Sequence, residues 1–153
     1  MDKKLVQTFL TDGIEGCIVS NTLFDGDKPQ KFLSGFIRVE EKVFDAINDN
    51  AYLHGIQNCG LKGAEISYMG DGRDVGITDY FSPAKNGEKY VYIGFEHSQR
   101  ICIALGLALN LPYALNDAKE WIEQIVSFKE LKQCQDAFKL VPHYADTTIL
   151  LGA

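Results

Sequence analysis

"AEISYMGDGRDVGITDYFSPAKNGEKYVYIGFE", residues 64–96, is the stretch whose reading decides the fold. Its first run alternates Ala64, Ile66 and Tyr68 against Glu65 and Ser67. Its last alternates Val91, Ile93 and Phe95 against Tyr90 and Tyr92. A period of two is that of a half-buried strand. "VGITDYF" alternates less cleanly between them, and Asn86-Gly87 is a strong hairpin signal. The stretch therefore predicts three strands joined by two turns, an antiparallel meander.

Upstream, "KKLVQTFLTDG" sets Leu5, Val6, Phe9 and Leu10 at helical spacing and stops at Asp12-Gly13, which predicts a short first helix. "GCIVSNTLF" and "KFLSGFIRV" are β-compatible runs joined by the turn-forming "DGDKPQ", a second hairpin. "EEKVFDAINDNAYLHG" changes to a 3.6 period with Gly55 as its stop.

Downstream, Ser98 is placed to cap "QRICIALGLALN", apolar around nearly its whole circumference and so expected as a buried central helix ending at Pro112. Asn116 is placed to cap "DAKEWIEQIV", with Ala118, Trp121, Ile122 and Ile125 as its stripe. Ser127 and Glu130 form a capping box for one more helix, closed by Pro142. "TTILL" near the end reads as a last strand. The fold class is α+β: one domain over residues 1–153, with a mainly antiparallel sheet of four to six strands packed against helices on one face.

A chain of 153 residues buries enough surface to form a core without staples. Its four cysteines (Cys17, Cys59, Cys102 and Cys134) lack any CxxC pair and read as free thiols. The apolar run after Lys3 and Lys4 is too short and too broken by polar residues for a signal peptide, so the cytoplasm is the expected compartment. The longest apolar stretch, 101–109, cannot span a bilayer. Between Glu40 and Glu88 nine acidic residues stand against four basic ones, so −5 of the net −6 lies in the middle third. Such a field repels nucleic-acid phosphates and anionic lipid and favours a basic protein partner.

Gly70, Gly72 and Gly76 do not make a phosphate loop, because a strand-like run rather than a helix N-terminus follows them. Asp71, Asp74 and Asp79, with Asp25 and Asp27, could supply oxygen ligands, yet Arg73 stands where a calcium loop needs an acid or amide. Turn aspartates bonded to local backbone explain them without a metal. His54, His97 and His143 have no zinc-ligand spacing with the cysteines. No cofactor and no metal are expected.

Two chemistries remain. A nucleophile at Cys59, in "QNCGLKG", or an acid–base pair at Glu96-His97 would make a small cytosolic enzyme. The apolar 101–109 helix could instead line a small-molecule pocket. Against these stands recognition of a protein. Asp71, Arg73, Asp74 and Asp79, with Tyr80, Tyr90 and Tyr92, put carboxylates beside tyrosines on one meander, where aromatic anchors supply contact energy and charge steers a basic partner. The leading expectation is a small acidic, non-enzymatic binding module. Bacterial inhibitors of the immunity or antitoxin type have this profile of size and charge.

Overall fold

The computed structural model describes residues 2–26, 28–53, 60–85 and 87–139 of the chain. Five strands, β1 (Asp2–Thr11), β2 (Ile14–Asp25), β3 (Lys28–Glu40), β4 (Tyr68–Gly70) and β5 (Tyr90–Glu96), form one sheet in the order β1-β2-β3-β5-β4. Every pairing is antiparallel. Helices α1 (Glu41–Leu53), α2 (Arg100–Ala104) and α3 (Leu111–Lys139) complete the fold. The α+β class, the antiparallel sheet, the hairpin read over 16–39 and the helix after it are as the sequence predicts.

The predicted first helix is instead β1. Asp12 and Gly13 have φ of 51° and 81°, the paired positive values of a two-residue hairpin turn, so the dipeptide that looked like a helix stop turns the chain back into β2. Pairing with β2 runs from Asp2↔Thr22 to Thr11↔Ile14, and a bulge at Val6 takes up the extra residue.

The sheet buries Ile14 and Ile18 of β2, Leu33, Ile37 and Val39 of β3, and Ile93 and Phe95 of β5 against α3. Ala114, Ala118, Trp121, Ile122 and Ile125 form the buried stripe of that helix, and all five are fully inaccessible. Three glycines in the sheet sit opposite phenylalanines: Phe9↔Gly16, Gly35↔Phe95 and Phe36↔Gly94. In each pair the ring lies where the glycine's missing side chain would stand. Gly35 and Gly94 do this on adjacent rungs and opposite faces, so each ring packs against bare backbone.

Three further expectations are corrected. The middle strand of the 64–96 meander does not form, and the first, expected from Ala64, is only the three residues of β4, which pair directly with β5; "VGITDYF" is turns plus a single 3-10 turn at Thr78–Tyr80. Gly72 and Gly76, at φ of 82° and 68°, bend the chain out of the sheet.

The predicted buried helix over 98–110 is only the five residues of α2, stopped by Gly106 at φ 71°. Its flanking position is Gln99, not Ser98, and Ile101 and Leu105 are 67% and 66% exposed.

Pro112 ends nothing; it is the second residue of α3, where its missing N–H costs no bond. Asn110 caps that helix, its side chain accepting from the Tyr113 amide at 2.9 Å. Asn116 and the Ser127–Glu130 pair lie inside the same 29-residue helix, so neither starts a new one. Gly55, Pro142 and "TTILL" lie outside the described residues. Among those described, no helix is long and apolar enough to cross a membrane.

Candidate functional site

The face of the sheet away from the helices is covered by the stretch that failed to become a strand. From the end of β4, residues 71–83 run as a strap over β5, β3 and β2. The Lys3 ammonium of β1, at the opposite edge, donates to the Val75 carbonyl at 2.8 Å. Ile77 and Phe81 are buried beneath the strap among Cys17, Val19, Phe36 and Tyr92, with Val75 and Tyr80 packed at the side. The Phe81 and Tyr92 rings meet edge to face at 4.9 Å. Cys17 is inert here, its thiol pushed up to about 12 by burial.

Local bonds shape the strap's first turn. Asp71 accepts from the Arg73 amide at 3.0 Å. The Tyr68 hydroxyl donates to Asp74 at 2.5 Å and accepts from the Gly72 amide at 2.9 Å. Burial first, and then the Asp74 carboxylate, hold the Tyr68 phenol above its usual range.

A three-residue latch secures the far end. The Ser82 amide and hydroxyl donate to Glu15 at 3.2 and 2.7 Å, while the Ser82 carbonyl accepts from Arg38 at 2.6 Å. Arg38 and Glu15 close the triangle as an ion pair. The guanidinium lies 4.2 Å from the Tyr90 ring centre and 5.4 Å from that of Phe81. A charge 8% exposed inside an apolar strand is tolerable only with such partners.

Burial raises the Glu15 pKa, but the hydroxyl and amide of Ser82, joined by the Arg38 charge, outweigh it and hold the carboxyl below its usual 4.5. A depressed folded-state value stabilises the fold at pH above the unfolded value and ceases to do so as pH falls through the folded one. Urea midpoints of the wild type are therefore expected to drop more steeply below pH 4.5 than those of Glu15→Gln. Parallel curves for the two proteins would show that the latch carries no such weight.

Between the strap and the lower ends of β3 and β5 lies an open cleft of about 870 Å³. Its floor is Phe81, Tyr90 and Tyr92; its rim carries Glu41, Asp71, Asp79 and Glu88, with Arg73 and Lys89. Of the seven residues that the sequence marks for protein binding, Asp71, Arg73, Asp79, Tyr90 and Tyr92 line it. Asp74 does not, being turned to Tyr68, and Tyr80 packs into the strap's apolar underside. Tyr92 is buried, so it contributes floor rather than a projecting anchor.

The Tyr90 hydroxyl donates to Glu88, and that bond, with burial, raises the phenol's pKa. Arg73 and Asp71 are 4.0 Å apart with side chains 85% and 64% exposed, so their attraction is slight. With Arg38 neutralised by Glu15, four carboxylates stand against two cations around the cleft.

The latch was missed in sequence because its residues lie 23, 44 and 67 positions apart. The available signal was a lone arginine in "FLSGFIRV".

The acid–base candidates fare differently. His97 is bonded to Asp117, not to the adjacent Glu96, through Nε2 at 2.8 Å. The ring is 3% exposed and lies between Phe95 and Tyr113, at 5.0 and 4.9 Å. Among the described residues its Nδ1 has no partner, so none of their hydroxyls or thiols is bonded to it. The pair bolts the end of β5 to α3, and the Asp117 charge raises the Tyr113 pKa. Cys59, His54 and His143 lie outside the described residues. Among those described, no group of three or more His, Cys, Asp or Glu is placed to hold a metal. Compared with protein-family models, curated proteins and solved structures, the chain matches none.

Proposed function

We infer that this protein is a non-enzymatic binding module whose strap-side cleft receives a basic segment of a partner protein. One observation carries the reading. Side chains from two separate stretches, Asp71, Arg73 and Asp79 on the strap with Tyr90 and Tyr92 on β5, meet around a single open cleft. Its floor is aromatic and its rim mostly acidic, the combination that takes a lysine or arginine side chain: ring faces below the cation, carboxylates beside it.

An inhibitor of the immunity or antitoxin type, masking a basic surface in the cytoplasm, is the function that suits a 153-residue chain of net charge −6. His97, the acid–base candidate within the described residues, is buried and already bonded to Asp117, which supports a non-enzymatic role.

The test is affinity capture from an extract of the cells that make the protein, comparing wild type with the double charge reversal Asp71→Lys/Asp79→Lys. Asp74 is left intact because it holds Tyr68. Basic proteins retained by the wild type are expected to fall at least about tenfold on the variant, which corresponds to a loss of about 1.4 kcal/mol. Its melting temperature should fall only slightly, since both side chains are exposed and the bond given up is the local one that Asp71 accepts from the Arg73 amide. Equal retention by the two proteins would remove the cleft from the account.

A further inference from the structure

The sheet ends on one side in β1, ten residues long, whose neighbour among the described strands is β2 alone. Leu5, Val6 and Leu10 on this strand are 38%, 44% and 69% exposed. A long apolar edge presents a row of backbone donors and acceptors that another strand can complete. We propose that β1 pairs antiparallel with β1 of a second copy, joining two five-stranded sheets into one ten-stranded sheet across a two-fold axis.

The residues around the edge select this occupant. With the axis through Thr8, which faces its own copy, Gln7 falls opposite Phe9; beyond the bulged Val6 of each strand, Leu5 falls opposite Leu10 of the second copy, Lys4 opposite Thr11 and Lys3 opposite Asp12. The symmetry makes each pair twice. Directly opposed residues in an antiparallel pair must share a face. Leu5 and Leu10 do, since their partners on β2 are Val19 and Glu15, which both lie on the strap side. Lys3 is on that side too, reaching Val75.

Lysines on an edge normally guard it against pairing. Shifting the axis toward the N-terminus would oppose Lys3 or Lys4 to its own copy, whereas this register gives Lys3 a carboxylate. The bulged Val6 of each strand is the residue skipped between the two stretches, so Gln7 and Phe9, both on the helix side, pair within while Leu5 and Leu10, both on the strap side, pair outside. The outward-facing edge is therefore self-complementary in charge and in apolar contact. This inference is independent of the cleft, which lies on the face of the sheet.

Sedimentation of the full chain over a dilution series reaching about 100 µM reads the association directly. The wild type is expected to dimerise, and Lys3→Glu and Leu10→Lys are each expected to raise the dissociation constant at least about tenfold. Hydrogen exchange at the β1 amides should slow as the wild-type concentration rises. Retention of the far-UV spectrum by both variants separates lost pairing from lost fold.

A wild type that stays monomeric throughout overturns the proposal. So does a dimer indifferent to both substitutions, for instance one lost instead on changing Leu105 to Lys. A monomer whose β1 amides gain protection only when another protein is added would assign the edge to a foreign strand and equally overturn it.

Discussion

Arg38→Met is expected to destabilise the protein by about 3 kcal/mol and to free the strap. Removing the guanidinium strips Ser82 of a carbonyl partner, leaves Glu15 facing an apolar group, and deletes the cation above Tyr90. Breaking a buried pair from one side costs about 3–5 kcal/mol, and the lower end applies because the Glu15 side chain is 25% exposed and can take up water. Amides of residues 72–82 should then exchange faster than those of β2 and β3, because the strap opens while the sheet persists.

A double-mutant cycle with Glu15→Gln separates the latch from simple burial. The two losses should fall short of additivity by about 1 kcal/mol or more, as expected for groups in direct contact. Strictly additive losses, or strap amides that stay protected in Arg38→Met, would mean that Ile77 and Phe81 hold the strap without help.

Phe95→Ala is expected to cost more, about 3–5 kcal/mol. The ring is 1% exposed and wedged between Trp121, at 5.2 Å, and His97, at 5.0 Å, with bare Gly35 beneath it. The complementary change is informative because it adds only one methyl. Gly35→Ala puts a carbon where the Phe95 ring lies, and the ring cannot retreat without disturbing the indole and the imidazole. Overpacking of this kind costs about 1–3 kcal/mol. Gly94→Ala should behave alike, since a β-carbon there stands 2.6 Å from the Phe36 ring. In Gly35→Ala/Phe95→Ala the cavity accepts the methyl, so the double variant should be less damaged than the sum of its parts. A Gly35→Ala protein with an unchanged urea midpoint would show that the ring has room to move and that the glycine–phenylalanine pairing is incidental.

These side chains also show what the sequence made legible. The hairpin of β2 and β3 was readable because two β-compatible runs, "GCIVSNTLF" and "KFLSGFIRV", and the turn cluster between them agree locally. The 41–53 helix was readable from its period, and the buried stripe of α3 from the spacing of Ala118, Trp121, Ile122 and Ile125. Failures came where one local pattern serves two structures. Leu5, Val6, Phe9 and Leu10 fit a helix, and Asp12-Gly13 can end one. What makes the segment a strand is its pairing with β2, which a local period does not contain. Val75, Ile77 and Phe81 looked like a ragged strand because they do face a sheet, but from above it rather than within it.

At 101–109, apolar composition implied burial, whereas the helix stops before Gly106 and Ile101 and Leu105 stand exposed. The cleft was half legible. Asp71, Arg73 and Asp79 are close in sequence, and Tyr90 and Tyr92 were joined to them by a hairpin that does not exist. The strap brings most of the same group together by another route. Glu15, Arg38 and Ser82, which anchor that route, depend on three long-range contacts and could not be read from spacing.

The account's central claim is that the strap-side cleft is the surface a basic partner occupies. Hydrogen exchange of this protein, measured alone and with the protein it captures, tests that most directly. Protection is expected over residues 71–83 and around Tyr90, with α3 unchanged. Protection that leaves the strap untouched and falls instead on the exposed 101–109 segment or on the outer face of α3 would contradict it.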